Sequence, residues 1–304
     1  ILNNIHQLYE SRTKEFNPNT IIEAILGRKP QSDPGKSPQT LLERIKELDN
    51  LLVMNDEAHH VHDDELKWNE SLLVIHKNIP GGLKMWVDFS ATPKTPENTY
   101  YPWIICDYPL AQAVEDRIVK VPLIVHSVNK KDPERITKDN VVQKYGDWIS
   151  AALARWKEHN EAYKGVKKKP VLFIMAEKNV FADRIAESIA RRGTTYGINR
   201  DEIMVIHTDN SGDVRDSDLE RLREESRDVD NPKNKIKVIV SVLMLREGWD
   251  VQNVTIVLGL RAFDSAILPE QAIGRGLRLM RDISPDRTQT LEVIGNDNFE
   301  KIVK

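Results

Sequence analysis

Apolar residues in this chain gather into short dense runs separated by stretches of helical periodicity. Leu51 to Met54, Val171 to Met175, Ile203 to Ile206, Ile236 to Val242 and Val254 to Leu258 each read as a buried strand. Leu83 to Phe89 alternates instead, with Leu83, Met85, Val87 and Phe89 on one face. Between the second and third runs, Phe181, Ile185 and Ile189 recur at i, i+4, i+8 beside Ala182, Ala186 and Ala190. That spacing predicts an amphipathic helix with Asn179 as its N-cap. A second helical pattern spans Val141 to Tyr163. Strand then helix, repeated, predicts an α/β fold whose parallel sheets are covered on both faces.

Two domains are expected, because 304 residues exceed what one core usually holds. Asn17 to Thr40 holds four of the 15 prolines with Gly27 and Gly35, and reads as a long surface loop. Val128 to Asn140 carries Asn129-Lys-Lys-Asp-Pro133-Glu-Arg and is expected to link the domains, leaving 1–127 as the first and 141–304 as the second. Apolar residues at 40% and charged residues at 30% describe an ordinary globular chain rather than a disordered one. The single cysteine, Cys106, excludes an intrachain disulfide, and no run nears the ~18 apolar residues of a membrane span, so a cytoplasmic location is expected. The opening Ile-Leu-Asn-Asn has neither an initiator Met nor a signal peptide, and a piece of a longer chain is expected. A net charge of −3 provides no global basic field and argues against a protein that coats nucleic acid.

The run Leu51-Leu-Val-Met-Asn-Asp56-Glu57-Ala58-His59-His60 is a strand ending in two acids, an arrangement that delivers carboxylates to a nucleotide at a sheet's carboxyl edge. Asp56 would hold Mg²⁺ largely through its water shell, and Glu57 would orient and deprotonate the water attacking a γ-phosphate. Asp-Glu alone reads better as a strand followed by an acidic solvated turn; Asp-Glu-Ala-His is much rarer. Asp56-Glu57-Ala58-His59 resembles the DEAH form of motif II of superfamily 2 helicases. Ser90-Ala91-Thr92, at the end of the alternating strand, resembles motif III. The resemblance implies that His59, Ser90 and Thr92 couple the nucleotide site to the nucleic-acid groove.

Ser241-Val-Leu-Met-Leu-Arg246-Glu247-Gly248-Trp249-Asp250 resembles motif V, which implies that Gly248 allows close backbone approach and that Asp250 bonds ribose or positions the loop. Gln271-Ala-Ile-Gly274-Arg275-Gly276-Leu-Arg278 resembles motif VI. On a helix Gln271, Arg275 and Arg278 share one stripe, and two planar guanidinium groups there suit neutralisation of γ-phosphoryl charge. Gly274 and Gly276 each cost about 1 kcal/mol relative to Ala, so this helix is expected to pack tightly against something. Weaker matches place Lys178, after Val171-Leu-Phe-Ile-Met-Ala-Glu, and Thr208, after His207, at the nucleic-acid groove, with Trp249 able to stack on a base. Trp68, Trp86, Trp103, Trp148 and Trp156 read as core or interface residues.

Asn55, the doubled His59-His60, Phe89-Ser-Ala-Thr-Pro93, Tyr108-Pro-Leu-Ala-Gln-Ala-Val-Glu-Asp-Arg-Ile-Val-Lys120 and the unbroken motif VI are similar to the restriction (Res) subunit of type III restriction enzymes and related large bacterial helicases. The likeness covers most of residues 50 to 300. It implies two RecA-like domains of the P-loop NTPase type, use of ATP and Mg²⁺, and movement along nucleic acid, double-stranded DNA more than RNA. It also implies a modification methyltransferase subunit as a partner. Pro34-Gly35-Lys36-Ser37 is not the phosphate loop, since Pro30 stands where that loop needs Gly and no strand leads in. Motif I is therefore expected upstream of Ile1, and the piece alone is expected to be inactive. His59, His60 and His62 with Asp63 and Asp64 lack a zinc spacing. The rival reading is a non-catalytic nucleic-acid-binding or scaffold module that keeps the helicase fold.

Overall fold

The computed structural model describes residues 45, 47–56, 58, 67–91, 93, 99–125, 133–166, 168–207, 228–242, 251–260 and 273–295. The chain divides into two compact units, Ile1–Cys106 and Asp107–Lys304.

In the first unit, strand β1 (Leu52–Asn55) leads to helix α1 (Lys67–Asn78) and then to β2 (Met85–Asp88), which pairs parallel with β1. Leu72 and Ile75 on α1, with Ile79 just beyond it, lie at i, i+3, i+7 and bury one stripe against Ala58, Val53, Leu83 and Trp86. The turn from α1 to β2 needs its two glycines. Gly81 and Gly82 both take positive φ, and a Cβ on Gly82 would lie 2.6 Å from the His76 ring, whose Nδ1 accepts the Leu83 N–H. The alternating strand is shorter than its pattern, and its packed side is the Trp86 side. Met85 and Phe89, expected on a common apolar face, are 58% and 54% exposed.

Among the described residues the second unit forms a six-stranded sheet, every pair parallel, in the order β3 (Val121–Val125), β8 (Thr290–Gly295), β7 (Val254–Leu260), β4 (Val171–Ala176), β6 (Val238–Ser241), β5 (Ile203–Ile206). This is the α/β architecture with parallel sheets that the strand–helix alternation predicts. Along β4, Leu172, Ile174 and Ala176 join one core and Val171, Phe173 and Met175 the other, so both faces are covered. The first core lies under α3 (Val141–Lys144), α4 (Gly146–Tyr163) and α5 (Asn179–Arg191). The helical pattern of 141–163 is two helices, broken at Tyr145. Trp148 and Trp156 are buried, their indole N–H groups donating to Gly295 O and Pro170 O. Helix α5 buries Phe181, Ala182, Ile185, Ala186 and Ile189 as its periodicity requires, but its N-cap is Lys178, in extended conformation, and Asn179 is the first helical residue. On β8 the buried Glu292 faces α4, where Arg155 and His159 bond its carboxylate.

Helix α2 (Leu110–Glu115) and strand β3 fall inside the stretch 1–127 expected to form the first domain, yet the residues of β3 pair in register with β8, Val121 opposite Thr290 through Val125 opposite Ile294. The division between compact units accordingly falls at Cys106/Asp107. Trp103 is 93% exposed with φ +64°, so of the two readings, core or interface, it is not a core residue.

Candidate functional site

At the carboxyl end of the first unit's strands the register runs to Asn55 opposite Asp88, and hydrogen bonding continues past it. The Phe89 N–H donates to Asn55 O at 2.9 Å, and the Ala58 N–H donates to Phe89 O at 2.9 Å. Those bonds fasten the acid-bearing turn to the Ser90-Ala91 turn. Ala58 is buried in the core below, which leaves Asp56 exposed above it and Ser90 half-buried beside it. Asp88, which the sequence reading passed over, ties the end of the pair together. Its Oδ1 accepts from Asn55 Nδ2 and from Trp86 Nε1, both at 2.7 Å. The available signal was a second acid directly before Phe89-Ser90, on the strand parallel to the one that carries Asp56. Glu57, His59 and Thr92 lie outside the described residues, as do His60, His62, Asp63, Asp64 and the loop with Gly35 and Lys36.

In the second unit, Lys178, His207 and Ser241 follow or end β4, β5 and β6 at the carboxyl edge of the sheet. Lys178 Nζ is 3.5 Å from the Glu177 carboxylate and 5.4 Å over the Phe181 ring. His207 Nε2 is 2.9 Å from Asp183 on α5. Ser241 is buried where the motif V resemblance begins; Thr208, Gly248, Trp249, Asp250 and Gln271 lie outside the described residues.

Residues 273–276 form one helical turn, closed by the Leu277 N–H donating to Ile273 O. The expected stripe of Arg275 and Arg278 on a single helix is not formed. Leu277 O accepts the Lys120 N–H at 2.7 Å, and Arg278 sits in an antiparallel bridge opposite Val119. The Lys120 N–H thus takes the Leu277 carbonyl that another helical turn would use, while the Arg278 N–H turns back to Arg275 O at 3.4 Å. Arg275 is half-buried on the turn and Arg278 exposed on the bridge. The two glycines differ as well. A Cβ on Gly276 would lie 2.9 and 3.1 Å from the Leu291 methyls, whereas one on Gly274 would meet nothing within 4 Å. Tight packing holds at Gly276 alone.

Lys120 closes this region from within. Its side chain is fully buried, and its ammonium donates to Gln252 O at 2.6 Å, Val254 O at 2.6 Å and Gly276 O at 3.0 Å. Asp230 holds the same approach to β7 by its amides, accepting from Gln252 N–H at 2.7 Å and Asn253 N–H at 2.9 Å. Burial lowers the Lys120 pKa to about 7, with the Asp230 charge pulling the other way. Three acceptors around one nitrogen suit the charged form, which has three N–H groups to give. The sequence carried no sign of this beyond a lysine at the end of the Tyr108–Lys120 stretch.

No protein-family model and no curated protein matches the chain. Solved structures do. A fragment assigned as the HsdR subunit of a type I restriction enzyme from Vibrio vulnificus YJ016 is 17% identical, with a TM-score of 0.49 over 79% of this chain and 44% of that one. The Mycobacterium smegmatis helicase Lhr, bound to ssDNA and AMP-PNP, is 15% identical, with a TM-score of 0.45 over 81% of this chain and 28% of that one. Dbp5 of S. cerevisiae, bound to RNA and ADP BeF3, is 13% identical, with a TM-score of 0.42 over 83% and 55%. The chain spans less than two thirds of the length of each. Among the described residues no helix is long and apolar enough to cross a membrane.

Proposed function

We propose that this chain is the motor portion of an ATP-dependent DNA helicase or translocase, of the kind that serves restriction systems. The observation that carries the reading is the pair of backbone bonds joining Asn55 and Ala58 to Phe89, which set the Asp56 turn beside the Ser90 turn at the ends of adjacent parallel strands. That juxtaposition suits a nucleotide-hydrolysing sheet, in which acids at a strand's carboxyl end meet the phosphates.

In this reading Asp56, an exposed carboxylate at a strand end, provides the hard oxygen that Mg²⁺ prefers. When bound, the ion would screen the charge of the β- and γ-phosphates. Glu57 orients the attacking water and takes its proton. Arg275 and Arg278, assisted by Gln271, neutralise charge on the γ-phosphoryl oxygens, with the bridge to Val119 holding Arg278 in place of a helix. Gly248 and Asp250 meet the nucleotide, and His59, Ser90 and Thr92 pass its state to the nucleic-acid groove. Lys178, Thr208 and Trp249 contact the strand, double-stranded DNA being the favoured track and a modification methyltransferase subunit the companion.

The test is ATP hydrolysis with and without DNA by the protein expressed from its full reading frame, compared with its Glu57→Gln variant. The variant should bind ATP as the parent does while turnover falls by at least 100-fold, in line with the loss of a general base. Equal turnover in the two proteins removes Glu57 from the chemistry. DNA binding without any turnover in the parent would favour the scaffold reading.

A further inference from the structure

We propose that Lys120 is a positioning residue, its ammonium locking the approach to β7, Gln252–Val254, to the turn that carries Arg275 and Arg278. The proposal rests on the reading of Arg275 and Arg278, and of Asp250 two residues before Gln252, as nucleotide-facing. The geometry is a tripod, one buried nitrogen and three main-chain carbonyls at 2.6, 2.6 and 3.0 Å, two from the β7 approach and one from the arginine turn. Main-chain carbonyls are present whatever the side chains around them, so the specificity of the site lies in the lysine. Only an ammonium gives three N–H groups that diverge from one atom; the planar guanidinium of Arg makes a fork, and Met donates nothing.

Two further features show that the clamp is built at both ends. The Lys120 N–H itself donates to Leu277 O and Val119 bridges to Arg278, so the lysine springs from a segment already docked on the arginine turn. On the far side, Asp230 holds the amides of Gln252 and Asn253 while Lys120 holds the carbonyls of Gln252 and Val254. The short segment two residues beyond Asp250 is therefore gripped by a carboxylate and an ammonium together, and only the ammonium also reaches Gly276. A fully buried charge is costly for stability unless every N–H is bonded, and here every one is. Its net effect is to hold one spacing between two loops whose functional groups must act within a fraction of an ångström.

Lys120→Met and Lys120→Arg, made in the protein from the full reading frame, test this. Amide hydrogen exchange should quicken at both 251–254 and 274–278 in each variant relative to the parent. The kcat of DNA-stimulated ATP hydrolysis should fall about 100-fold in Lys120→Met with KM for ATP within about twofold, the signature of misplaced groups rather than lost binding. Added to Arg275→Ala, Lys120→Met should cause little further loss, whereas a lysine that only stabilises the fold would add its effect in full. Lys120→Arg keeps the charge without the tripod, so it decides the matter should Lys120→Met fail to fold. Exchange unchanged in either segment, kcat within twofold of the parent, or additive losses overturn the proposal. A parent that folds but shows no DNA-stimulated turnover sinks the motor reading alone, and the exchange result still decides the clamp.

Discussion

Alanine at Gly276 and, separately, at Gly274 distinguishes packing from helix propensity within a single turn. Both residues lie in the helical turn 273–276, and neither has positive φ. Each substitution therefore gains a similar amount from alanine's propensity and from the stiffer unfolded chain, roughly 0.4–1 kcal/mol. That gain cancels in the comparison. What remains is the new methyl group. At 274 it enters open space; at 276 it would stand 2.9 and 3.1 Å from the two Leu291 methyls and 3.5 Å from Val257 Cγ2. Leu291 is fully buried between neighbouring strands, so its methyls cannot swing into solvent, and overpacking of this kind costs about 1–3 kcal/mol. For a unit of this size each kcal/mol moves the melting temperature by about 2–4 °C. Gly276→Ala should thus melt roughly 2 to 12 °C below Gly274→Ala, and Gly274→Ala at or slightly above the parent, by circular dichroism under identical conditions. If Gly276→Ala melts with or above its companion, Leu291 has room to yield and the close approach is not a constraint.

Acid should weaken the second unit through Glu292. Burial pushes its carboxyl up, but the bonds and charges of Arg155 and His159 outweigh that and hold its pKa at about 2, below the ordinary 4.5. A folded-state value below the unfolded one means the contribution is whole above about pH 4.5 and is lost as pH falls from there toward 2. Melting temperature should drop across that window, and Glu292→Gln should show a shallower drop; identical slopes would remove Glu292 as the cause. In the first unit, Asp88→Ala should cost about 1–3 kcal/mol in urea unfolding, since it leaves the buried Asn55 amide without its acceptor. Asn55→Ala added to it should cost less than the two separately, and strict additivity would show that the pair does not act as one.

The strands and the amphipathic helix α5 were legible because burial writes itself locally. A strand covered on both faces is apolar throughout, as Val171–Ala176 is, and a helix covered on one side repeats every three to four residues, as Phe181, Ile185 and Ile189 do. The positions of Asp56 after β1 and of Ser90-Ala91 after β2 were legible for the same reason, since each follows a recognisable strand. What lay beyond the sequence were pairings between distant segments. Nothing local to Val121–Val125 announces that it joins β8, some 170 residues on, so the sequence pattern leaves it with the first domain. Helical periodicity from Gln271 to Arg278 is intact in the sequence, but the Lys120 N–H takes the Leu277 carbonyl, Arg278 pairs across from Val119, and the helix ends at Gly276. Gly274 and Gly276 look alike as letters; only the side chain of Leu291 tells them apart. Lys120 would pass in any sequence for a solvated charge, and three carbonyls brought from two other segments make it the most buried cation of the described chain. Local periodicity is a property of neighbours along the chain, whereas satisfaction of a buried donor depends on which distant backbone the fold delivers to it, and that is decided only in three dimensions.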